Sequence, residues 1–414
     1  HLKKIGTQVR IGKPDAACVP HGISKVIYSP AVPKNHPELS KVKSQKSKVK
    51  ILSYPEALGE LTKTHYTIAI SGTHGKSTTT AMIGLLLTKA GLDPTVIVGT
   101  KLKEFGDSNC RVGKGEYLVI EADEHFASFL NYWPKMIVLT TIEADHLDYW
   151  KTLQNLLKGF QKYISHVPQD GVLVVNRDDK NIRDVLDTKN HHISTAVENR
   201  VYFSLKDRDA PKVRNLLKIP GEHNVSNALA ALTVARVLGI PDKISFKALS
   251  EYKGSWRRFE IFELKTKNYK PYILVSDYGH HPTEVKVTVE AARSKWKNKK
   301  LWLVFQPHQY QRTHYLWKDF VRVLSKLPVQ KLILTDIYDV AGREDKVIRT
   351  KVSSEKLVKA VENCKLKIEN YPVFYIPTLS KVESYLKKNL RGGEVVMVMG
   401  AGDIYGLTMS LTGR

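Results

Sequence analysis

The feature that most restricts the fold of this chain is a glycine-containing turn between an apolar run and a helical run, HYTIAISGTHGKSTTTAMIGLLL. This pattern predicts a strand, a turn and a helix, and the free N–H groups at a helix N-terminus attract anions. Gly72 and Gly75 allow close backbone approach, Lys76 supplies positive charge, and Ser77 can hold Mg2+ beside a phosphate. The segment therefore predicts a phosphate site, and a strand-to-helix turn without a ligand is the weaker interpretation.

The rest of the chain predicts an α/β protein. From His65 onward, short apolar runs alternate with stretches of helical periodicity, which is typical of βαβ units and a mostly parallel sheet. Helices are predicted over 224–239 and 283–295. The predicted strands are HYTIAI, YLVIEAD, MIVLTTI, GVLVVN, YILVSDYG, LWLVFQP, KLILTDIYDV, VFYIP and EVVMVMGAG.

The length of 414 residues exceeds what one hydrophobic core usually covers, so several domains are expected. The alternation restarts after GSWRRFE, and the segment before His65 is short and rich in proline. We therefore predict domains over 1–65, 66–256 and 257–414. The chain opens on His1 in what reads as the middle of a domain, so we expect the first domain to be incomplete at its start.

A net charge of +24 raises the alternative of a basic nucleic-acid-binding ATPase. Apart from the patch KVKSQKSKVK at 41–50, the cations are spread along the chain and accompany no nucleic-acid module. A basic surface or an anionic small substrate is the stronger interpretation. Without a long apolar run or a secretory signal, we predict no membrane insertion and a cytoplasmic location, with Cys18, Cys110 and Cys364 as reduced thiols.

Two further predicted strands end in acidic loops, EADE from Glu121 and EADHLD from Glu143. Carboxylates at the carboxyl ends of buried strands can bind Mg2+ directly or through water. Taken alone, such ends are usually solvated or cap a helix, and His146 is more often a hydrogen-bonded loop residue than a ligand.

The motifs together resemble the Mur ligase family, and most closely its branch that joins L-alanine to UDP-N-acetylmuramate. The matching strings, in order over 29–406, are SGTHGKSTTT, EADE, EADHLD, GEHNVSNALAA, WRRFE, DYGHHPTEV and FQPHQYQRT. The resemblance implies three domains: a truncated Rossmann-like domain for the UDP-sugar, a central P-loop ATPase-type parallel sheet, and a C-terminal Rossmann-like domain. It also implies ATP and Mg2+ as cofactors; the oligomeric state is left open.

The resemblance implies roles for individual residues. Lys76, His280 and Arg312 are expected to be catalytic, and His280, His308 and Arg312 to line the substrate side. One Mg2+ would be held by Ser77 and Glu121 and a second by His146. The residues expected to bind ATP are Gly72, Thr73, His74, Gly75, Lys76, Ser77, Thr78, Asn224, Asn227, Arg258 and Asp277. Of these, Asn224 and Asn227 are expected on the adenine side and Asp277 on the ribose side. His280 is the expected base of the amide-forming step, because the pKa of a free histidine lies near neutrality.

Some positions depart from the family pattern. The common EADESDASF reads EADEHFASF, Gln309 stands where an arginine is usual, and Gln161 stands where some Mur ligases carry a carbamylated lysine. No Gly-rich UDP-binding motif precedes the matched region. Two relatives remain as alternatives: a murein-peptide ligase that attaches L-Ala-γ-D-Glu-diaminopimelate to the same nucleotide sugar and, more weakly, a folylpolyglutamate synthase.

Overall fold

The computed structural model describes residues 3, 6–33, 35–44, 49–187, 199–264, 271–340, 345–364 and 371–413. The chain divides into two compact units, one of His1–Thr64 with Asn131–Trp133 and one of His65–Leu130 with Pro134–Arg414. No helix within the described ranges is both long and apolar enough to cross a membrane.

The first unit contains a two-stranded parallel sheet, β1 (Lys25–Tyr28) with β2 (Lys50–Ser53), and two helices, α1 (Pro37–Ser44) and α2 (Tyr54–Thr62). Helix α2 begins with a capping box, because the Ser53 side chain accepts from the backbone of Glu56 while the Glu56 side chain accepts from that of Ser53. The basic patch runs through the end of α1 and lies outside the described residues at 45–48.

The second unit begins with a seven-stranded sheet in the order β5-β4-β6-β3-β7-β8-β9. All neighbours pair in parallel except β4 and β5. Its strands are β3 (Tyr66–Ser71), β4 (Thr95–Leu102), β5 (Ser108–Arg111), β6 (Tyr117–Ala122), β7 (Met136–Leu139), β8 (Val172–Asn176) and β9 (Arg200–Phe203). Its helices are α3 (Lys76–Lys89), α4 (Leu147–Trp150), α5 (Leu153–Ile164), α6 (Lys180–Leu186), α7 (Ala210–Leu216), α8 (Glu222–Val237) and α9 (Asp242–Glu251).

A second sheet of six strands follows in the order β10-β11-β15-β12-β13-β14, in which only β10 is antiparallel to its neighbour. Its strands are β10 (Glu260–Leu264), β11 (Tyr272–Asp277), β12 (Leu301–Phe305), β13 (Lys331–Leu334), β14 (Val373–Tyr375) and β15 (Val395–Met399). Its helices are α10 (Pro282–Lys295), α11 (Tyr310–Tyr315), α12 (Trp317–Leu324), α13 (Lys346–Lys351), α14 (Ser354–Glu362), α15 (Leu379–Asn389) and α16 (Tyr405–Thr412).

Helix α3 fixes the phosphate loop within the central core. Its residues from Ser77 to Leu87 are all buried, and it packs with α8 and the strands in one hydrophobic cluster. A helix that is buried on every face carries no amphipathic stripe. Because β3 lies between β6 and β7 in the parallel sheet, the loops that follow these three strands meet at one edge.

The predicted α/β class is confirmed, with corrections to element bounds. The strand predicted from MIVLTTI ends at Leu139, since the Thr140 hydroxyl donates to the backbone oxygen of His74. Helix α8 begins at Glu222, two residues before the predicted start, with Gly221 as its N-cap. Strands β4, β5, β9 and β10 were not predicted. The boundaries of the three predicted domains remain a prediction, because the two larger sheets lie within one compact unit.

Candidate functional site

The phosphate loop has the predicted geometry of a strand, a glycine turn and a helix start. Gly75 is the N-cap of α3 with a φ of 83°, and Gly72 has a φ of 133°. A Cβ added at Gly72 would lie 2.3 Å from Thr140 Oγ1, and one added at Gly75 would lie 2.3 Å from Asn227 Oδ1. Both glycines are therefore required by backbone conformation and by space.

Lys76 points back over this loop. Its Nζ donates to the backbone oxygen of Gly72 at 2.7 Å and to Glu124 Oε2 at 2.8 Å. Burial opposes the charge of Lys76, but Glu124 and Asp123 outweigh it and raise the pKa of the ammonium. Burial raises the pKa of Glu124 to about 7. A bound phosphate would compete with Glu124 for the Lys76 ammonium.

Ser77 and Glu121 form the first of two candidate metal sites. The Ser77 hydroxyl hydrogen-bonds to Glu121, whose pKa is raised by burial. Glu121 Oε1 is buried and has no hydrogen-bond partner among the described residues. A buried carboxylate oxygen without a partner beside a hydroxyl suits a hard divalent cation such as Mg2+.

His146 belongs to a second group, with Asp123 and Glu124 close enough for the three side chains to share one ion. Its Nδ1 is buried and finds no partner in the part of the chain that the structure describes. Burial lowers the pKa of His146 to about 4, so the imidazole is neutral near pH 7, which is the state that binds a metal. The predicted metal residues thus lie in two groups at adjacent strand ends.

The second sheet brings Arg258 to the phosphate loop. Its Nη2 lies 3.5 Å from Ser77 Oγ, and its guanidinium lies 5.0 Å from the ring of Tyr278. Asp277, expected on the ribose side, is buried and accepts from the backbone N–H groups of Phe259 at 2.8 Å and Gly279 at 2.7 Å. Burial raises the pKa of Asp277 to about 6. Its contacts in this structure hold the turn that carries Arg258.

The two predicted adenine-side asparagines lie in the first turns of α8. Asn224 Nδ2 donates to the backbone oxygen of Pro220 at 2.6 Å. Asn227 stands directly against Gly75, so it contacts the phosphate loop itself. Both side chains are buried.

Arg312, His308 and His280 lie together on the side of the second sheet. Arg312 Nε donates to Asp145 Oδ1 at 2.8 Å in a buried ion pair that joins the two sheets, and its Nη1 lies 3.3 Å from His308 Nδ1. The rings of His280 and His308 are 5.5 Å apart. Burial, followed by Arg312, lowers the pKa of His280 to about 4. These surroundings thus move the pKa of His280 away from the near-neutral value of a free histidine, which was the reason for expecting it to be the base.

The sequence did not single out several residues that complete this region. Arg257 is buried, with its guanidinium 5.0 Å from the ring of Tyr278, and donates to the backbone oxygen of Gly400. Glu284 accepts from the start of α10, and its position three residues after His281 is the capping-box spacing that could have revealed it. Arg257, in contrast, has its backbone partner far away in the sequence, so no local pattern indicated it.

Two of the positions that depart from the family pattern, Gln309 and Gln161, lie in buried surroundings. Gln309 is buried with a φ of 70° and precedes α11. Gln161 is buried within α5.

A glycine loop with a buried lysine, two groups of metal-compatible side chains and an arginine supplied by a second parallel sheet define a class of protein. It is a P-loop-type α/β protein whose candidate phosphate site lies against a second α/β module.

Comparisons with known proteins give the family. Residues 70–235 match the Mur ligase middle domain, and residues 257–402 match the Mur ligase glutamate ligase domain. The UDP-N-acetylmuramate–L-alanine ligase of Nitrosomonas eutropha is 38% identical over 400 residues, which covers 92% of this chain and 82% of that protein. The same enzyme of Acetivibrio thermocellus is 36% identical over 398 residues, covering 92% and 81%. The chain belongs to the Mur ligase family.

Solved structures show the same fold. The UDP-N-acetylmuramate-alanine ligase of Thermotoga maritima superposes with a TM-score of 0.76 at 24% identity, covering 100% of this chain and 89% of that one. A murein peptide ligase of Psychrobacter arcticus gives a TM-score of 0.64 at 20% identity, covering 100% and 90%. The predicted Mur ligase architecture is confirmed at the level of the fold.

Proposed function

We propose that this protein is the ATP-dependent ligase that joins the lactyl carboxylate of UDP-N-acetylmuramate to L-alanine in peptidoglycan precursor synthesis. The observation that carries the proposal is the approach of Arg258, from the second sheet, to Ser77 in the phosphate loop at 3.5 Å. Two sheets thereby place cations around one phosphate site. The curated relatives with this fold at 33–38% identity carry out this ligation by name.

The first step is phosphoryl transfer. A carboxylate oxygen attacks the γ-phosphorus of ATP, and the bond between that phosphorus and the bridging oxygen breaks. ADP leaves, and the substrate carboxylate becomes an acyl phosphate. Phosphoryl transfer needs positioning and charge neutralisation more than covalent help from the protein. The Lys76 ammonium would exchange its ion pair with Glu124 for contact with the phosphates, and Arg258 would neutralise phosphate charge from the opposite side.

Ser77 and Glu121 are the proposed ligands of one Mg2+, and His146 with Asp123 and Glu124 are those of a second. When bound, Mg2+ neutralises phosphate charge. These side chains come from α3, from the end of β6 and from the loop after β7.

In the second step, the alanine amine attacks the acyl carbonyl, phosphate leaves, and the amine loses a proton. His280 is the proposed acceptor of that proton. Its Nδ1 lies 3.0 Å from the backbone oxygen of Tyr278, which can only accept, so Nδ1 carries the hydrogen and Nε2 is left to accept. With a pKa near 4, His280 is a weak base that is ready in its neutral form at pH 7.

The charge of the proposed substrates accounts for the basic composition of the chain. ATP and a UDP-sugar are anionic, which suits a chain with a net charge of +24 without any role for nucleic acid. We propose a cytoplasmic site of action, because ATP and the nucleotide sugar are available there.

The test is phosphate release from ATP and Mg2+ in the presence of UDP-N-acetylmuramate. Three acceptor conditions are compared: L-alanine, the tripeptide L-Ala-γ-D-Glu-diaminopimelate, and none. We expect release only with L-alanine, abolished in Lys76→Met and retained in the surface control Lys359→Met, whose partner Glu355 lies on an exposed helix face. Release only with the tripeptide would move the protein to the recycling branch. Stimulation of ATP hydrolysis by polynucleotide would refute the ligase proposal.

A further inference from the structure

His74, which directly precedes Gly75 in the phosphate loop, lies between two carboxylates. Its Nε2 is 3.1 Å from Glu143 Oε2, and its Nδ1 is 3.3 Å from Glu284 Oε1. Glu143 follows β7 of the central sheet, whereas Glu284 lies in the first turn of α10, which belongs to the second sheet. One ring therefore joins the phosphate loop to both sheets.

The two carboxylates on either side of the ring favour its cationic form. The hydrogen bond from His74 lowers the pKa of Glu143 to about 2 against the effect of burial, and the pKa of Glu284 is also held well below its ordinary value. Ionised carboxylates only accept, so both ring nitrogens of His74 must donate. Although burial opposes the charge, the two carboxylates raise the pKa of His74 to about 10. An imidazolium has no lone pair for a metal. In this form His74 cannot bind an ion together with its neighbours Glu143 and His281.

Neighbouring contacts extend the connection. Thr283 Oγ1 donates to Glu143 Oε2 at 2.7 Å, and His281 Nε2 lies 3.2 Å from the backbone oxygen of Ala144. The second oxygen of Glu284 accepts from the backbone N–H of His280 at 2.9 Å. The phosphate loop is thus connected through His74 and one carboxylate to the backbone of His280.

We propose that His74 is a positioning residue for the ligation. Its side chain clamps the start of α10 onto the phosphate loop and thereby holds the second sheet, with His280 and Arg258, over the reacting groups. This inference rests on the proposed function. It differs from the expected contact of the His74 backbone with ATP, because the side chain is fully engaged with protein carboxylates.

Two substitutions separate the two halves of the clamp. In His74→Gln the amide nitrogen takes the place of Nε2, so a neutral donor keeps the hydrogen bond to Glu143. In His74→Asn the amide nitrogen takes the place of Nδ1, so a neutral donor keeps the hydrogen bond to Glu284. Each loses the charge and one bond. We expect kcat to fall roughly 10- to 100-fold in either variant, in line with the loss of one charge-assisted hydrogen bond. The KM for ATP should stay within about 2-fold, since the loop backbone is intact.

A double-mutant cycle with Glu284→Gln tests whether His74 acts through α10. Glutamine retains an oxygen for the cap on His280 while removing the charge. If the clamp is real, the kcat of His74→Gln combined with Glu284→Gln should be close to that of the slower single variant. The matched control is Lys359→Met with Glu355→Gln, an exposed ion pair on α14 whose loss should leave kcat unchanged.

Backbone hydrogen exchange provides a readout besides turnover. With the non-hydrolysable analogue AMP-PNP and Mg2+ bound, amides at 278–284 should exchange faster in His74→Gln than in the wild type, while amides of β3 do not change. The clamp would be overturned if His74→Gln left both kcat and exchange unchanged, or if the effects in the double-mutant cycle were additive. It would also be overturned if His74→Gln raised the KM for ATP with a normal kcat, or if the wild type bound Co2+ and His74→Gln abolished that binding. If the wild type releases no phosphate with L-alanine, the proposed function fails, but the exchange measurement still decides whether the clamp exists.

Discussion

The buried ion pair between Arg312 and Asp145 allows a sharp test, because sequence similarity assigns Arg312 to substrate while the structure gives it a protein partner. The side chains of Arg312 and Asp145 are 6% and 7% exposed, and Nε lies 2.8 Å from Oδ1. Arg312→Met removes the cation and leaves a carboxylate in a site where burial works against its charge. The perturbation thus acts on stability as well as on any contact with substrate.

The magnitude follows from the burial. Removing one partner of a buried ion pair costs about 3–5 kcal/mol, because the other charge is left uncompensated. Asp145→Asn alone should also destabilise, as it leaves Arg312 buried without its carboxylate. The double variant Arg312→Met with Asp145→Asn removes both charges, and we expect it to recover most of that loss, to within about 1 to 2 kcal/mol of the wild type.

The assay combines urea unfolding followed by tryptophan fluorescence with phosphate release on the same samples. If Arg312 also contacts substrate, the double variant should regain stability but not activity. If activity returns with stability, the role of Arg312 is structural and its assignment to substrate fails. Arg312→Met as stable as the wild type would refute the reasoning about burial itself.

Three further outcomes follow from the site. Gly75→Ala should weaken ATP binding at least about 10-fold in calorimetry, since a non-glycine residue with positive φ costs about 1–2 kcal/mol and the new Cβ would meet Asn227; unchanged affinity would contradict the loop geometry. Lys76→Met should lower kcat on the order of 100-fold or more while the protein stays folded, because Glu124 can become neutral; complete unfolding would contradict that. The pKa of His280 is about 4 in the folded protein but about 6.5 in the unfolded chain, so the free energy of unfolding should fall as the pH decreases between these values. His280→Asn should reduce that loss, measured as the difference between urea midpoints at pH 7 and pH 5. An identical loss in the variant would refute the lowered pKa.

The phosphate loop was predictable because its chemistry is local. Gly72, Gly75 and Lys76 lie within five residues, and the turn they form is set by backbone conformation and by the start of α3. The apolar runs of buried parallel strands were visible for the same reason. Edge strands such as β5 and β10 were not predicted, because their residues are partly exposed and lack a continuous apolar pattern.

The contacts between the sheets lie beyond local sequence reasoning, and His280 shows why. The resemblance of DYGHHPTEV to the family motif implied that His280 lies near the substrate, and the structure brings it beside His308 and Arg312. Its ordinary pKa suggested a base near neutrality, but a pKa depends on what surrounds the ring. The nearby cation comes from residue 312, and the carboxylates that tie this turn to the phosphate loop come from 143 and 284. A motif therefore identified the residue, whereas its surroundings are set by groups as distant in the sequence as Arg312 and, through Glu284, His74. Changes that remove those groups, such as His74→Gln or Arg312→Met, measure their effect on His280.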